Sequence, residues 1–348
     1  MLAIESKNFG QLPDGRDVTL FQLRNSNGII VELLDYGSII RAIHTPDKDG
    51  YIDDIVLGFN NLDGYVQDKN YLGAFIGRYA NRIEDAFFEI DGNRFDLSMN
   101  EGQNSHHGGE KGLNKMLWDA SVTENKLNLG IISPDGDQGF PGELQIQLTY
   151  ELTEDNELRI DMSATSNKKT VVSFTQHPYF NLGGINLPDL AEHQLQISAD
   201  HYLPINEMFI PTGELSPVGN SPFDFRSIND INSKLGDDHP QLIRAKGFDH
   251  CFVKTGVDEL FAHLVHAKNG RSLRVFSNAP GLQLYTSNFL NGPYPGKHGK
   301  IYKPRQAICL EPQAFPNAPR ESNFPAAVLG VNEKYEHHMV YKFGVVDV

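Results

Sequence analysis

Residues 144–164, LQIQLTYELTEDNELRIDMSA, contain the pattern that decides the fold class. Apolar and polar side chains alternate over 144–150, and the same two-residue period returns over 158–164. Because successive side chains of a β-strand point to opposite faces, a period of two indicates a strand that is buried on one face only. Polar residues around Asp155-Asn156 separate the two segments. The sequence therefore predicts two antiparallel, half-buried strands.

Turn signals recur along the rest of the chain. Asn-Gly or Asp-Gly dipeptides at 27–28, 91–92 and 269–270 lie between segments rich in β-forming residues. Both central residues of a type I′ hairpin turn need positive φ, which these residue types tolerate. Helical periodicity is confined to 61–68 and 231–238, where a short helix fits. The pattern predicts a large all-β antiparallel sandwich with few short helices.

The division into domains follows from the same pass along the chain. The 32 glycines and 19 prolines are spread evenly, and no linker-like block, low-complexity segment or fixed repeat separates two halves. We therefore predict a single domain over residues 1–348. A β-rich protein of two domains is the alternative, because 348 residues exceed the usual ~100–200 residues per domain.

Composition excludes several classes of partner. The formal net charge of −15 opposes binding to nucleic acid, which depends on Lys and Arg neutralising phosphates. No apolar run approaches the ~20 residues of a membrane helix, so we expect no membrane span. Two cysteines, Cys251 and Cys309, without a Cys-x-x-Cys motif indicate neither a disulfide framework nor a zinc site. The first ten residues lack the features of a secretory signal, and the cytoplasm is the expected location.

Motifs for nucleotide or metal chemistry are absent from the sequence. It contains no Gly-x-Gly-x-x-Gly, no Gly-x-x-x-x-Gly-Lys-Ser/Thr and no His-Glu-x-x-His. These absences favour a function without a cofactor or metal.

Five segments combine planar polar side chains with neighbouring strands. They are GRYANRI (77–83), NSHHGG (104–109), TQHPYFNLGG (175–184), GFDHCF (247–252) and LEPQAFPNAP (310–319). Sugar hydroxyls donate and accept hydrogen bonds, and Arg, Asn, Gln, Asp and His offer partners for both. Aromatic residues such as Tyr179, Phe289 and Phe315 are candidates to cover the apolar face of a pyranose. Each segment alone also fits a structural role, such as a buried histidine or a surface ion pair.

Taken in order, the five segments resemble the aldose 1-epimerase family. Its recurring pattern is Arg-x-x-Asn-Arg, His-Gly-Gly, His-x-Tyr-Phe-Asn-Leu, Tyr/Phe-Asp-His and Glu-x-Gln, and all five are present. The likeness extends from 18–40 through 211–226 and 296–313 to the closing 341–343. It implies a galactose mutarotase-like β-supersandwich with an open cleft, no metal and no organic cofactor. The implied activity is interconversion of the α and β anomers of free hexoses such as galactose and glucose.

The resemblance also implies an acid and a base. Glu311 matches the family's base, which takes the proton of the C1 hydroxyl, and His177 matches the acid, which protonates the ring oxygen. An unperturbed glutamate pKa of ~4.3 keeps Glu311 ionised at neutral pH. A nearby carboxylate, Glu311 or Asp249, is expected to raise the pKa of His177 from its unperturbed ~6.5.

Five further residues are implied in substrate binding. By the same matching, His107 and Arg78 hold hydroxyl and ring oxygens and stabilise the charge on O5, while Asp249 binds hydroxyls and orients the sugar. Asn81 and Gln283 are implied in positioning the substrate.

Two positions depart from the family pattern. His106 stands where relatives usually have an apolar residue, and Arg320 follows Asn-Ala-Pro where many relatives have Asn. Adjacent side chains on an extended segment point to opposite faces, so we predict that His107 faces the pocket and His106 does not. Either departure can alter the preferred sugar.

Two rival functions remain open at this point. An epimerase of phosphorylated hexoses needs clustered Arg or Lys for a phosphate, whereas the motifs here offer mainly Arg78 and Arg82. A sugar-binding module without activity is the second rival, since fold alone does not imply activity. Because Glu311 and His177 are both present, the sequence favours the enzyme. As a partner we expect a small aldohexose, and as an assembly a monomer or homodimer.

Overall fold

The alternating segment forms the antiparallel hairpin that its pattern predicts. The computed structural model describes residues 3–256 and 260–346. Within it, Leu144–Leu152 pairs with Glu157–Ser166 in a register that runs from Leu144 opposite Ser166 to Leu152 opposite Leu158. Every second residue of each strand is buried and the residues between are more exposed. The prediction of two half-buried strands is therefore confirmed.

Strands dominate the chain, and helices are short. The strands, numbered in chain order, are β1 (Ala3–Gln11), β2 (Asp17–Arg24), β3 (Ile30–Leu34), β4 (Ile39–Pro46), β5 (Ile52–Asp54), β6 (Phe75–Ile76), β7 (Arg82–Ile83), β8 (Phe87–Ile90), β9 (Asn93–Asp96), β10 (Ser105–His106), β11 (Asp119–Thr123), β12 (Lys126–Ser133), β13 (Leu144–Leu152), β14 (Glu157–Ser166), β15 (Thr170–Val171), β16 (Thr175–Gln176), β17 (His193–Ile197), β18 (Ala199–Tyr202), β19 (Ser216–Pro217), β20 (Asn229–Asp230), β21 (Asp249–Lys254), β22 (Leu260–His266), β23 (Arg271–Ser277), β24 (Gly281–Tyr285), β25 (Cys309–Gln313), β26 (Val328–Leu329) and β27 (Lys334–Val345). The helices are α1 (Leu62–Gln67), α2 (Ile231–Leu235) and α3 (Pro240–Ala245), and single turns of 3₁₀ helix lie at Glu84–Ala86, Leu113–Lys115, Asp137–Gly139, Lys297–Gly299 and Ala318–Arg320.

Three large sheets organise these strands. A nine-stranded sheet has the order β11-β12-β13-β14-β27-β23-β22-β17-β20, and two five-stranded sheets have the orders β1-β2-β3-β4-β5 and β19-β18-β21-β24-β25. One cluster of buried apolar residues draws members from all three, including Leu33, Ile146 and Leu284. The core therefore lies between the nine-stranded sheet and the two five-stranded sheets. This is the predicted antiparallel β-supersandwich.

The local signals in the sequence are confirmed at the turns and at two helices. The three Gly-containing dipeptides connect β2 to β3, β8 to β9 and β22 to β23. Asn61 caps α1 by accepting a hydrogen bond from the Gly64 N–H, and Asp230 caps α2 in the same way from Ser233. The sequence did not predict α3, which is only six residues long and begins at Pro240. None of the described helices is long and apolar enough to cross a membrane.

The sheet β19-β18-β21-β24-β25 presents one apolar and one polar face. Leu282, Leu284 and Leu310 of β24 and β25 belong to the core. Gln283 and Glu311 alternate with them along the strands and are directly opposite each other across the ladder. The period of two therefore directs both polar side chains away from the core, toward the cavity described below.

Candidate active site

A cavity of about 360 Å³ lies over the polar face of this sheet, which is large enough for a small-molecule site. Its wall combines carboxylates, histidines, one arginine and several aromatic rings. It is lined by Lys69, Asn70, Tyr71, Asn81, Arg82, Asn100, Glu101, His106, His107, His177, Tyr179, Phe209, Asp249, Gln283, Tyr285, Phe289 and Glu311.

Three adjacent strands supply the floor of the cavity. Glu311 of β25 is opposite Gln283 of β24. Asp249 begins β21, two residues before the position that pairs with Gln283, so its side chain points to the same face. The Gln283 amide donates a 2.6 Å hydrogen bond to Asp249 Oδ1. The sheet register thus brings together three residues that are far apart in sequence.

His177 faces Glu311 from a neighbouring segment. Its Nε2 lies 3.5 Å from Glu311 Oε2, and both residues are almost fully buried. The imidazole stacks on the ring of Tyr179 at 5.1 Å, and the Tyr179 hydroxyl donates a hydrogen bond to the Asn70 carbonyl. Among the described residues, neither His177 Nδ1 nor Glu311 Oε2 has a hydrogen-bond partner. The site therefore contains buried polar atoms whose hydrogen-bonding capacity is not used within the described protein.

Burial sets the electrostatics of this pair. It lowers the pKa of His177 to about 4 and raises the pKa of Glu311 well above its ordinary value, an effect to which the negative charge of Asp249 adds. Desolvation penalises the charged form of each group, and here it outweighs their mutual attraction. The expectations that a carboxylate would raise the pKa of His177 and that Glu311 would keep an ordinary pKa were wrong for this reason.

His107 is fixed in one tautomer by its neighbour Asn81. The Asn81 backbone N–H donates to His107 Nδ1 at 3.1 Å, and the His107 backbone N–H donates to the Asn81 carbonyl at the same distance. Burial, followed by the nearby His106, His177 and Arg82, keeps the pKa of His107 well below its usual value. A neutral imidazole that accepts at Nδ1 must carry its hydrogen on Nε2. His107 is therefore a hydrogen-bond donor.

The neighbouring His106 also lines the cavity, so the prediction that it points away was wrong. Its ring centroid lies 3.8 Å from that of His107. The cause is the left-handed backbone of His107, with φ of 51°, which breaks the alternation of an extended strand. In addition, His106 of β10 is directly opposite Arg82 of β7, which puts these two side chains on the same face.

Arg78 requires a correction, because the structure places it outside the cavity. Its guanidinium is buried and makes hydrogen bonds of 2.7–3.1 Å to the Ser133 hydroxyl and to the carbonyls of Ser133, Pro134, Pro141 and Gly142. These bonds occupy the donors of the guanidinium. Arg78 therefore fastens the loop that follows β12 and is not free to hold a sugar.

The second arginine of the same motif lines the cavity instead. Arg82 forms a two-pronged ion pair with Glu101, at 2.6 and 2.9 Å, and its Nη1 lies 3.9 Å from Asp249 Oδ2. Burial alone would lower the pKa of Arg82, but Glu101 and Asp249 raise it above its ordinary value. Both arginines belong to the motif at 77–83, but only Arg82 is opposite His106 in a strand pair and lines the cavity.

Other expectations had mixed outcomes. Of the aromatic candidates, Tyr179 and Phe289 line the cavity, whereas Phe315 packs in a separate apolar cluster. Arg320 does not line it and donates a hydrogen bond to the Glu84 carbonyl. Tyr71, which the sequence did not predict, also lines the cavity, and its ring lies 4.6 Å from that of His107. No local motif marks this tyrosine, which precedes β6 in a connecting segment.

Three of the cavity residues are close enough together to be considered as metal ligands. One potential ligand atom from each of His107, His177 and Glu311 lies within 4.8 Å of the others. Ligation by histidine needs a free lone pair on a neutral ring nitrogen. The lone pair of His107 accepts the Asn81 N–H, so its other nitrogen carries a hydrogen. The cluster is therefore better suited to hydrogen bonding than to holding a metal ion.

The sequence profile of one protein family, described as aldose 1-epimerase, matches residues 19–342. The chain belongs to this family. Galactose mutarotase of Homo sapiens is 40% identical over 348 residues, which cover 99% of this chain and all of that protein. Aldose 1-epimerase of Escherichia coli is 37% identical over 338 residues, 95% of this chain and 96% of the other.

Solved structures of aldose 1-epimerase relatives share the fold. An aldose epimerase homologue from C. elegans superposes with a TM-score of 0.87 at 30% identity and covers 94% of this chain and 99% of its own. Galactose 1-epimerase from Lactobacillus acidophilus gives 0.86 at 28% identity over 99% of both chains. Family membership makes the protein an isomerase that interconverts the anomers of hexoses.

Proposed function

We propose that the protein interconverts the α and β anomers of galactose and glucose, with Glu311 and His177 as its proton-transferring residues. The observation that carries this proposal is the approach of His177 Nε2 to within 3.5 Å of Glu311 Oε2 at the base of the cavity. Opening a pyranose ring moves one proton from the C1 hydroxyl and another onto the ring oxygen. Two groups this close can serve the two adjacent oxygens of one sugar.

The pair needs a single proton for a full cycle. When the ring opens, Glu311 takes the proton of the C1 hydroxyl and His177 gives its proton to the ring oxygen. The open aldehyde then rotates about the C1–C2 bond. Ring closure reverses both transfers on either face of C1, so Glu311 returns its proton and His177 recovers one. The base of one half-reaction is the acid of the other, as microscopic reversibility requires.

Burial favours the intermediate state of this cycle. The form of the pair that reacts with a cyclic sugar is charged, as carboxylate and imidazolium, whereas with the open aldehyde both groups are neutral. Desolvation disfavours the charged forms, as the lowered pKa of His177 and the raised pKa of Glu311 show. Burial therefore lowers the free energy of the aldehyde complex relative to the charged, reactive form of the ring complex, which favours the proton transfers that open the ring.

The remaining polar residues suit sugar binding. We assign hydroxyl binding to Asp249 and Gln283, which already share a 2.6 Å hydrogen bond, and assign donation from Nε2 to His107. Arg82 replaces Arg78 as the cationic residue of the site. Asn81 acts through its neighbours, because its backbone holds His107 and its Oδ1 accepts the Arg82 backbone N–H at 2.9 Å.

A phosphorylated hexose fits this cavity less well. The guanidinium of Arg82 is engaged by the Glu101 carboxylate, and the other cation of the wall is Lys69. Recognition of a phosphate dianion usually calls for several free Arg or Lys groups. We therefore propose free aldohexoses as substrates.

We also propose a cytoplasmic location and a monomer or homodimer. The proposal includes no nucleic acid or membrane partner.

The test is Glu311→Gln, which keeps the size of the side chain but removes its ability to accept a proton. Polarimetry with freshly dissolved α-D-galactose and α-D-glucose should show kcat lower by ~10²–10⁴-fold, the range for general acid–base groups. Glu336→Gln, an exposed position on β27, is the matched control and should behave as wild type. A kcat for Glu311→Gln within a few-fold of wild type would contradict the assignment.

A further inference from the structure

His106 is held firmly in the wall of the cavity. The Asn100 side chain accepts a hydrogen bond from the His106 backbone N–H at 2.7 Å and donates one to its carbonyl at 2.8 Å. The imidazole packs on His107 at 3.8 Å and meets the edge of Tyr71 at 5.8 Å. Backbone and ring are therefore fixed from both sides, so the direction of the imidazole is determined by the fold.

The ring nitrogens of His106 are free to bind a ligand. Over residues 3–256 and 260–346, neither nitrogen takes part in a hydrogen bond, and the nearest carboxylate contact is from Nδ1 to Glu101 Oε1 at 3.8 Å. That carboxylate already accepts two bonds from Arg82. By contrast, His107 Nδ1 is engaged by Asn81. Of these two neighbouring histidines, His106 thus retains both a donor and an acceptor.

A neutral imidazole complements a sugar hydroxyl. It offers one N–H donor and one lone pair, and a hydroxyl group both donates and accepts. The ring of His106 adjoins that of His107, which is 5.4 Å from the ring of His177, whereas no ring contact joins His106 to His177 among the described residues. A contact made by His106 is therefore displaced from the atoms that exchange protons with His177 and Glu311.

We propose that His106 is a specificity-determining residue that binds one hydroxyl group of the hexose other than the hydroxyl on C1. This inference rests on the proposed function, since it assumes that C1 and the ring oxygen lie against Glu311 and His177. It assigns to His106 a role in choosing the sugar, through substrate binding and not through the proton transfers.

The test combines variants of His106 with sugars that each lack one hydroxyl. His106→Phe keeps a ring to pack on His107 but removes both nitrogens, and His106→Asn restores a donor and an acceptor. The sugars are galactose, glucose and their 2-, 3-, 4- and 6-deoxy forms, followed by polarimetry or by NMR exchange between anomers. His263→Phe, at a half-buried position on β22 away from the cavity, is the matched control.

The proposal predicts that His106→Phe weakens the binding of every sugar that carries the contacted hydroxyl and leaves the sugar without that hydroxyl unaffected. With the complete sugar, His106→Phe should raise KM roughly 5–20-fold, the scale of one lost hydrogen bond, while kcat changes by less than about threefold. With one particular deoxy sugar, wild type and His106→Phe should have equal kcat/KM within about twofold. Because the two enzymes are compared on the same sugar, differences in intrinsic reactivity between the sugars cancel. His106→Asn should recover part of the loss.

Two outcomes would overturn the proposal. An equal loss with every sugar, including each deoxy form, would show that His106 only supports His107 by packing. Unchanged KM for the complete sugars would show that it makes no contact. Glu311→Gln measured in the same assay distinguishes a failure of the inference about His106 from a failure of the proposed function. If that variant is inactive but His106→Phe shows no hydroxyl-dependent loss, this inference fails alone, whereas an active Glu311→Gln means that the proposed function has failed.

Discussion

Arg78 and Arg82 belong to one short motif, but we expect replacement of Arg78 to lower stability and replacement of Arg82 to lower activity. Arg78→Met removes a guanidinium that makes five hydrogen bonds and takes these bonds from buried acceptors on Ser133, Pro141 and Gly142. Each such bond is worth about 1 kcal/mol net, and an orphaned buried acceptor costs about 1–3 kcal/mol. The wild type also bears the cost of burying the charge, which lowers the pKa of Arg78 to about 10. We therefore expect the free energy of unfolding to fall by about 3–5 kcal/mol.

Trp118 provides the assay for this loss of stability. It is the single tryptophan and is buried in the core, so its fluorescence should report unfolding by urea or heat. Arg78→Lys keeps the charge but offers three donors from one point instead of a planar fork, and it should lie between wild type and Arg78→Met. Polarimetry on folded Arg78→Met, well below its melting temperature, should give kcat/KM within about threefold of wild type.

Arg82→Met is the paired variant with the opposite expectation. It removes the cation that faces the cavity between Glu101 and Asp249. Loss of one well-placed donor to the transition state costs about 2–4 kcal/mol, so kcat/KM should fall about 30-fold or more. If Arg78→Met unfolds like wild type but loses activity to the same extent, Arg78 belongs to the site and the interpretation of both arginines is wrong.

Three more predictions concern protons, metals and His107. Because burial lowers the pKa of His177 to about 4, kcat/KM should stay level from about pH 7 to pH 5 and fall only as the pair gains a second proton near pH 4. A midpoint near ~6.5 in the pH profile would show that burial does not control this group. Activity should survive exhaustive chelation by EDTA, since the His107 lone pair is engaged by Asn81; abolition by EDTA and restoration by zinc would reverse that conclusion. His107→Leu should remove about 2–4 kcal/mol of transition-state stabilisation, measured as a fall in kcat/KM in steady-state kinetics. A fall in kcat/KM of less than twofold would show that His107 does not belong to the site.

The fold class was predictable from local pattern, whereas the residues of the site floor were implied by the family resemblance. The alternation over 144–164 and the Gly-containing turns determine strands and hairpins, because strand geometry and turn φ values depend on neighbouring residues only. Gln283 lies between Leu282 and Leu284 of the core, and Glu311 follows the core residue Leu310 on the paired strand. The resemblance to the family directed attention to the segments that form the cavity. The extent of the domain, 1–348, stays a prediction.

Local sequence thus predicts an all-β chain and the segments that line its cavity. Which arginine and which histidine face that cavity depends on contacts between distant segments. Arg78 is held away from the cavity by carbonyl groups more than 50 residues distant in sequence, and His106 lines it because of the positive φ of His107 and the pairing with Arg82. The directions of the pKa shifts of His177 and Glu311 also could not be predicted from the sequence, because desolvation depends on every segment packed around a group. Long-range contacts of this kind have no local signature in the chain.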